Sequence, residues 1–423
     1  MIVTPQKTGP VDLAFAAPPS KSYTHRALIA GALADGGTTI TGPLDADDTR
    51  LTAAALKALG IGIEASPGRI VIAGCNGKIP AGREVTLDCG NSGTSLRLLA
   101  TLGLLCRYPV TLTGSARMQE RPIGPLADAL GKIGGEVEFL KKPGYPPLRV
   151  SGSLAGGPVS IDGSLSSQFI SSILMAAPYA ERDVEVTIPR PPASASYLDI
   201  TCDVMQAFGA RIGREGYGKF TVSSQERYRG RTYAIEGDYS SASYFFALAA
   251  ICGGNVTVRN LVPASVQGDR KFHEALAAMG CTVTSGSSSV TVERHGRLRG
   301  ITIDMSSAPD TVQTLCMVAA VAETPTIITG IGHLKFKESD RIHGTAERLR
   351  ALGGSVAVGD NSLTILPAPL HGGKIDPQDD HRTAMSFAVL GLGIGSVTIT
   401  NAGCVAKSFP GFWDMLREAG VKV

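Results

Sequence analysis

The stretch Leu126-Ala127-Asp128-Ala129-Leu130-Gly131-Lys132-Ile133-Gly134 reads as a one-sided helix brought to a stop. Leu126, Leu130 and Ile133 fall at i, i+4 and i+7, so they share one face. The glycine that follows suits a left-handed C-cap, which other residues adopt only with strain. The same ending, an apolar residue and then a glycine, returns at Leu59-Gly60, Phe208-Gly209, Met279-Gly280, Leu352-Gly353 and Ala419-Gly420. Each helix of this kind is preceded by a strand-like run carrying Thr39, Thr111, Thr187, Thr257, Thr326 or Thr398.

A second element recurs with the same period. A polar loop opens a helix that is apolar nearly all round and therefore expected to be buried. The openings include Pro19-Ser20-Lys21-Ser22, Gly90-Asn91-Ser92-Gly93-Thr94-Ser95, Ser164-Leu165-Ser166-Ser167-Gln168, Gly237-Asp238-Tyr239-Ser240, Ser306-Ser307-Ala308-Pro309-Asp310 and Asp379-Asp380-His381-Arg382. Each copy is thus β-α-β-α-β-β, and a fixed period marks a repeat architecture. The expected fold is α/β, with two similar domains of three such repeats and buried helices, joined by a two-stranded hinge. Three residues follow Gly420, so the sixth copy lacks its final strands. Val11 to Phe15 with Ser20 to Ser22 parallel Val85 to Cys89 with Asn91 to Gly93, so the N-terminus is expected to complete that copy. The expected domains are 21–236, continuous, and 1–20 plus 237–423, with a ligand cleft between them.

The 423 residues are 43% hydrophobic and 18% charged, which suits two ordinary globular domains. A net charge of +3 with 5% aromatics argues against nucleic acid as a partner. No apolar run has the length of a membrane span, and Met1 to Ser20 lacks the pattern of a signal peptide. The eight cysteines include no C-x-x-C pair and read as reduced, mostly buried thiols of a cytoplasmic protein. No phosphate-binding G-x-x-x-x-G-K-[ST] or dinucleotide G-x-G-x-x-G is present, and His25 and His381 lack a set of metal ligands; neither metal nor cofactor is expected.

Lys337-Glu338-Ser339-Asp340-Arg341 places two cations and two acids just before a helical run from Thr345 to Leu352. Cations oppose a helix start, so the stretch is expected to form surface ion pairs or to meet an anionic ligand. Cations gather at other helix openings: Lys21, Arg26, Arg97, Arg117, Arg121, Lys335, Arg382 and Lys407. With a net charge of only +3, they point to a substrate carrying several phosphate or carboxylate groups. Asp310 and Glu338 stand among them as candidates for general acid–base work or as ion-pair partners.

These residues resemble the enolpyruvyl transferases, and within them the branch acting on shikimate 3-phosphate. The motifs run through the whole chain: Ser20-Lys21-Ser22 with Arg26, Gly90 to Thr94 with Arg97, Arg117 to Ile123, Ser166 to Phe169, Tyr197 to Thr201, Pro309-Asp310, Lys337 to Arg341, Asp380 to Arg382 and Ala406 to Pro410. The resemblance implies transfer of the enolpyruvyl group of phosphoenolpyruvate to the 5-hydroxyl of shikimate 3-phosphate; separately, a monomer is expected. It implies that Lys21, Ser22, Arg26, Ser166, Ser167, Gln168, Ser194, Asp310 and Lys337 hold shikimate 3-phosphate. Lys21, Gly93, Arg121, Gln168, Arg341, Arg382 and Lys407 then hold phosphoenolpyruvate. Asp310 serves as base for the hydroxyl and Glu338 as acid toward the methylene, with Lys21 a further proton carrier. The chain departs from the family pattern at His333, Ala195 and Leu98. The sister branch acting on UDP-N-acetylglucosamine carries a cysteine in the loop that is here Ser115-Ala116-Arg117. A non-catalytic anion-binding protein is the other alternative.

Overall fold

The computed structural model describes all residues, Met1–Val423. The chain forms twelve α-helices: α1 Lys21–Leu33, α2 Asp47–Ala58, α3 Gly93–Leu102, α4 Gly124–Lys132, α5 Ser167–Ala176, α6 Ser196–Ala207, α7 Tyr239–Cys252, α8 Lys271–Ala278, α9 Val312–Ala320, α10 Arg341–Ala351, α11 His381–Ile394 and α12 Phe412–Glu418. It divides into two compact units, Pro19–Ile235 and Met1–Pro18 with Glu236–Val423.

The unit Pro19–Ile235 holds three four-stranded sheets. In each, a strand pairs in parallel with a threonine-bearing strand, which pairs antiparallel with the inner strand of a hairpin. Thus Val85–Asp88 lies beside Val110–Thr113, followed by Leu148–Gly152 and Gly135–Phe139. The same order joins Gly157–Ser160, Val184–Thr187, Lys219–Val222 and Ile212–Glu215. The third sheet is closed from the far end of the unit: Thr232–Ala234 pairs in parallel with Gly37–Thr41.

The other unit repeats the arrangement. Val11–Ala16, Gly254–Arg259, Ser289–Arg294 and Thr282–Ser285 form one sheet. Thr302–Asp304, Thr326–Thr329, Ser362–Leu366 and Ser355–Val358 form the second. The third has only Gly373–Ile375 and Val397–Ile399, with Val3 bridged antiparallel to Ile399. This corrects the expectation for the N-terminus. Val3 extends the sixth sheet, but the strand Val11–Ala16 joins the fourth, where its unpaired edge meets the parallel strand Gly254–Arg259.

The odd-numbered helices are the buried ones. All fourteen residues of α7 are buried, and α1, α3, α5, α9 and α11 are buried along almost their whole length. An apolar surface on every side is stable only when neighbours cover it, each covered large side chain contributing roughly 1.5–3 kcal/mol. These helices meet through short hydroxyls: Thr101 with Ser172 at 2.6 Å between α3 and α5, and Thr314 with Ser386 at 3.3 Å between α9 and α11. The even-numbered helices bury one face only, as α4 does with Leu126, Ala127, Ala129 and Leu130. Behind each stands its glycine, and all six (Gly60, Gly134, Gly209, Gly280, Gly353 and Gly420) have positive φ. All eight cysteines are free, six of them buried. No helix is long and apolar enough to cross a membrane.

Candidate active site

The candidate residues sit at helix starts because buried helices end in polar loops that must satisfy their free N–H groups. Ser92 accepts from the Ser95 amide, Ser166 from Gln168, Asp238 from Ser241 and Asp380 from Arg382. Ser166 thus caps α5. The structure divides the residues into two sets, one in each unit.

In the unit Pro19–Ile235, Lys21 opens α1 and its ammonium lies 3.2 Å from Asp48 at the start of α2. The Asp48 carbonyl accepts from the Ser95 hydroxyl in α3, which links Lys21 to the Gly93 turn. Gly93 is held close by Arg121: a Cβ added there would stand 2.7 Å from both terminal guanidinium nitrogens. Arg121 is buried. Arg97 donates to Gln168 at 2.9 Å and lies over the ring of Phe169, while Gln168 donates to Thr94 at 2.9 Å. Lys21, Gly93, Arg121, Ser166 and Gln168 are thus joined through Asp48, Thr94, Ser95 and Arg97.

Arg26 is fully buried and engaged by protein. It donates to Thr201 at 2.8 Å, to Ser171, and to the carbonyls of Ser22 and Tyr197. Burial pushes its guanidinium down to about 10. In this arrangement it fixes the backbone of Ser22 and the start of α6. Ser194 is buried with φ +58, a left-handed conformation that costs a serine on the order of 1 kcal/mol. Arg117 pairs with Glu120 at 2.9 Å, as a surface ion pair.

In the other unit, Arg341 is the centre. Its side chain is 1% exposed and reaches Asp310 at 3.1 Å, Glu338 at 2.8 Å and Asp380 at 2.8 Å. Arg382 donates to the second oxygen of Asp310 at 2.6 Å and to the Tyr244 hydroxyl at 3.4 Å. The Lys407 ammonium stands 3.9 Å from Glu338. Three acids thus face three cations. The three carboxylates hold the Arg341 guanidinium above its ordinary value despite its burial. The expectation of surface ion pairs is corrected for Arg341, which belongs to a buried ion cluster. The helix start is corrected too. α10 begins at Arg341, four residues before Thr345, because Asp340 caps it by accepting from Ile342 and His343.

Lys337 precedes this cluster, and its charge acts on His333. His333 is half-buried, and burial together with Lys337 pushes its imidazole down to about 3. It is therefore neutral across the working pH range. The sign for stability follows. As pH falls below 6.5 the unfolded chain takes up a proton that the folded chain refuses, so stability declines toward pH 3. In urea titrations, His333→Asn is expected to lose less stability than the unsubstituted chain between pH 7.5 and pH 5, by up to about 2 kcal/mol.

Comparison with known proteins gives this geometry a family. A family model described as EPSP synthase (3-phosphoshikimate 1-carboxyvinyltransferase) matches residues 5–416. A 3-phosphoshikimate 1-carboxyvinyltransferase of Methanoculleus marisnigri is 64% identical over 421 residues, covering 100% of both chains. Its counterpart from Methanoregula boonei is 64% identical over 419 residues, covering 99% of each. The chain belongs to the EPSP synthase family. In structure, it is similar to the EPSP synthase of Acinetobacter baumannii, with 29% identity, a TM-score of 0.82, and coverage of 100% of this chain and 98% of that one. The enolpyruvyl transferase NikO of Streptomyces tendae shares the fold at 18% identity, with a TM-score of 0.79 over 99% of this chain and 97% of that one.

For an EPSP synthase family chain, the residues that sequence reasoning passed over are the partners that hold the cations. Asp48, Asp380 and Tyr244 are buried, and each holds a cation of the candidate set. Asp48 and Asp380 each left a local trace, as half of an acidic pair at a helix start.

Proposed function

We propose that this chain transfers the enolpyruvyl group of phosphoenolpyruvate to the 5-hydroxyl of shikimate 3-phosphate, giving 5-enolpyruvylshikimate 3-phosphate and phosphate. The observation that carries this reading is the full-length match to EPSP synthases, with relatives at 64% identity. The cations Lys21 and Arg121 in one unit and Arg341, Arg382 and Lys407 in the other support it, since two polyanions repel unless cations offset their charge.

On this reading Lys21, Ser22, Arg26, Ser166, Ser167, Gln168, Ser194, Asp310 and Lys337 serve shikimate 3-phosphate, Arg26 by fixing the Ser22 backbone. Lys21, Gly93, Arg121, Gln168, Arg341, Arg382 and Lys407 serve phosphoenolpyruvate. The 5-hydroxyl attacks the carbon bearing the phosphate as the methylene carbon takes a proton. Loss of a methyl proton then expels phosphate and restores the double bond. Asp310 accepts the hydroxyl proton; Glu338, protonated when phosphoenolpyruvate is bound, supplies the methylene proton and as the carboxylate takes the methyl proton back when phosphate leaves; Lys21 is a further carrier. The ion pairs with Arg341, Arg382 and Lys407 hold both carboxylates in place. No cofactor enters the scheme. The chain works as a monomer in the cytoplasm, and size-exclusion chromatography tests the first part.

Phosphate release from purified protein decides the reaction. It is expected with phosphoenolpyruvate plus shikimate 3-phosphate and not with UDP-N-acetylglucosamine as acceptor; release only with the sugar nucleotide would overturn the assignment. Gly93→Ala adds a further check. Its Cβ displaces the Arg121 guanidinium, so KM for phosphoenolpyruvate is expected to rise roughly ten- to hundredfold with a smaller change in kcat. An unchanged KM would remove Gly93 and Arg121 from that site.

A further inference from the structure

Behind the Asp310 turn lies a carboxyl that the scheme above does not use. Asp269 sits in the turn Gly268–Arg270, which packs against the turn Pro309–Thr311 that carries Asp310, and it is 5% exposed. The Ser240 hydroxyl at the start of α7 donates to it. The loop that carries Asp269 is tied down on both sides. Gln267 donates to Glu236 at 2.5 Å and to the Gly237 carbonyl at 2.8 Å, and accepts from the Tyr239 amide at 3.0 Å. Arg270 donates to the Ser265 carbonyl at 2.9 Å, and the Ser265 hydroxyl donates to Glu236. An aspartate clamped this firmly in a buried position needs a reason, because an ionised carboxylate away from water is costly.

We propose that Asp269 is a positioning residue for the reaction assigned above, a second carboxyl set behind Asp310 that steadies the turn carrying Asp310 and sets the net charge that the cluster presents to an anionic substrate. The inference rests on that reaction. Asp310, Glu338 and Asp380 already balance Arg341, Arg382 and Lys407. A fourth carboxylate would tip the cluster negative and weaken its hold on phosphoenolpyruvate. Burial, with Asp310 adding and Arg382 opposing, pushes the Asp269 carboxyl well above its ordinary value, so the cluster stays balanced until Asp269 ionises. The other charged and titratable groups around it are Asp238 and Tyr239 from α7, Glu236 and Arg270 from the clamped loop, and Lys271, His273 and Glu274 from α8. An arriving anion favours the protonated form further.

The test compares the unsubstituted enzyme with Asp269→Asn and Ser240→Ala, by steady-state phosphate release and by calorimetry of inorganic phosphate binding, from pH 6 to 9. Titration of the ligands is common to all three proteins and cancels in ratios. The KM for phosphoenolpyruvate of the unsubstituted enzyme, divided by that of Asp269→Asn, is expected to lie near one at pH 6. It should climb on the order of tenfold by pH 8.5, with kcat changing far less. Phosphate affinity should follow the same course. Ser240→Ala removes a donor to the ionised form, so it should move the rise upward by about one pH unit, and it tests the idea even if Asp269→Asn folds poorly. A ratio independent of pH, or a loss confined to kcat, would overturn the inference. If the unsubstituted enzyme releases no phosphate, the proposed reaction fails, and the calorimetric ratio alone decides on Asp269.

Discussion

Asp310→Asn is expected to lower kcat for phosphate release by roughly 10²–10⁴-fold, the range typical of a lost general base. Asparagine keeps the shape of the side chain, but Arg341 and Arg382 now reach the two Asp310 oxygens at 3.1 and 2.6 Å, and the one amide oxygen can accept at only one of those two places. It cannot take the proton of the 5-hydroxyl. The variant also leaves one more positive charge in the cluster, so KM for phosphoenolpyruvate should stay the same or fall. That split separates a chemical role from a binding role. Glu338→Gln is expected to behave alike, because Glu338 meets Arg341 at 2.8 Å and faces Lys407. Rapid-quench measurement of a single turnover places the loss in the chemical step. An unchanged kcat in both variants would mean that neither carboxyl moves a proton.

Arg341→Met is expected to destabilise the fold by about 3–5 kcal/mol, the usual cost of stranding a buried charge. Here three carboxylates lose one common partner, whose side chain is 1% exposed. In the variant they must take up protons or admit water, so the loss should be smaller at pH 5 than at pH 8. Urea unfolding at the two pH values measures this directly. Activity should fall as well, since Asp310 and Glu338 both lose their anchor. A stability loss under 1 kcal/mol would show that Arg382 and Lys407 alone hold the cluster together.

The periodic frame of the protein was legible in its sequence because local constraints write it. A glycine at positive φ after each surface helix, a threonine in each central strand and an apolar run in each buried helix need no knowledge of the partners. The N-terminal strand was misplaced because the choice between two similar sheets is made by edges far along the chain, which leave no local mark. The cluster around Arg341 was legible only in part: Asp310 and Glu338 were named as ion-pair candidates for the cations, but which cation each meets was not. Asp310 and Asp380 lie 31 and 39 residues from Arg341, and nothing near it announces them. The start of α10 was readable in principle. Asp340 is a strong cap, but His343 and Gly344 are weak helix formers and mask it. Asp269 gave no signal, since an aspartate in a Gly-Asp-Arg turn is ordinary until burial makes it otherwise.

The pairing of Val11–Ala16 with Gly254–Arg259 has a consequence for the order of events during synthesis. Asp12 and Asn255, bonded to each other there, are 243 residues apart. The unit Pro19–Ile235 draws every strand of its sheets from its own continuous stretch, so it is complete soon after Ile235 leaves the ribosome. The first strand of the chain must wait, with its apolar residues and its edge uncovered, until its partner emerges. Such a delay exposes a segment to mispairing. The Gln6 amide meets the Lys422 carbonyl at 2.9 Å, which brings the two ends together in the finished fold. A circular permutant that starts at Pro19, with Met1 joined to Val423, would make the late unit continuous too and should refold with less aggregation.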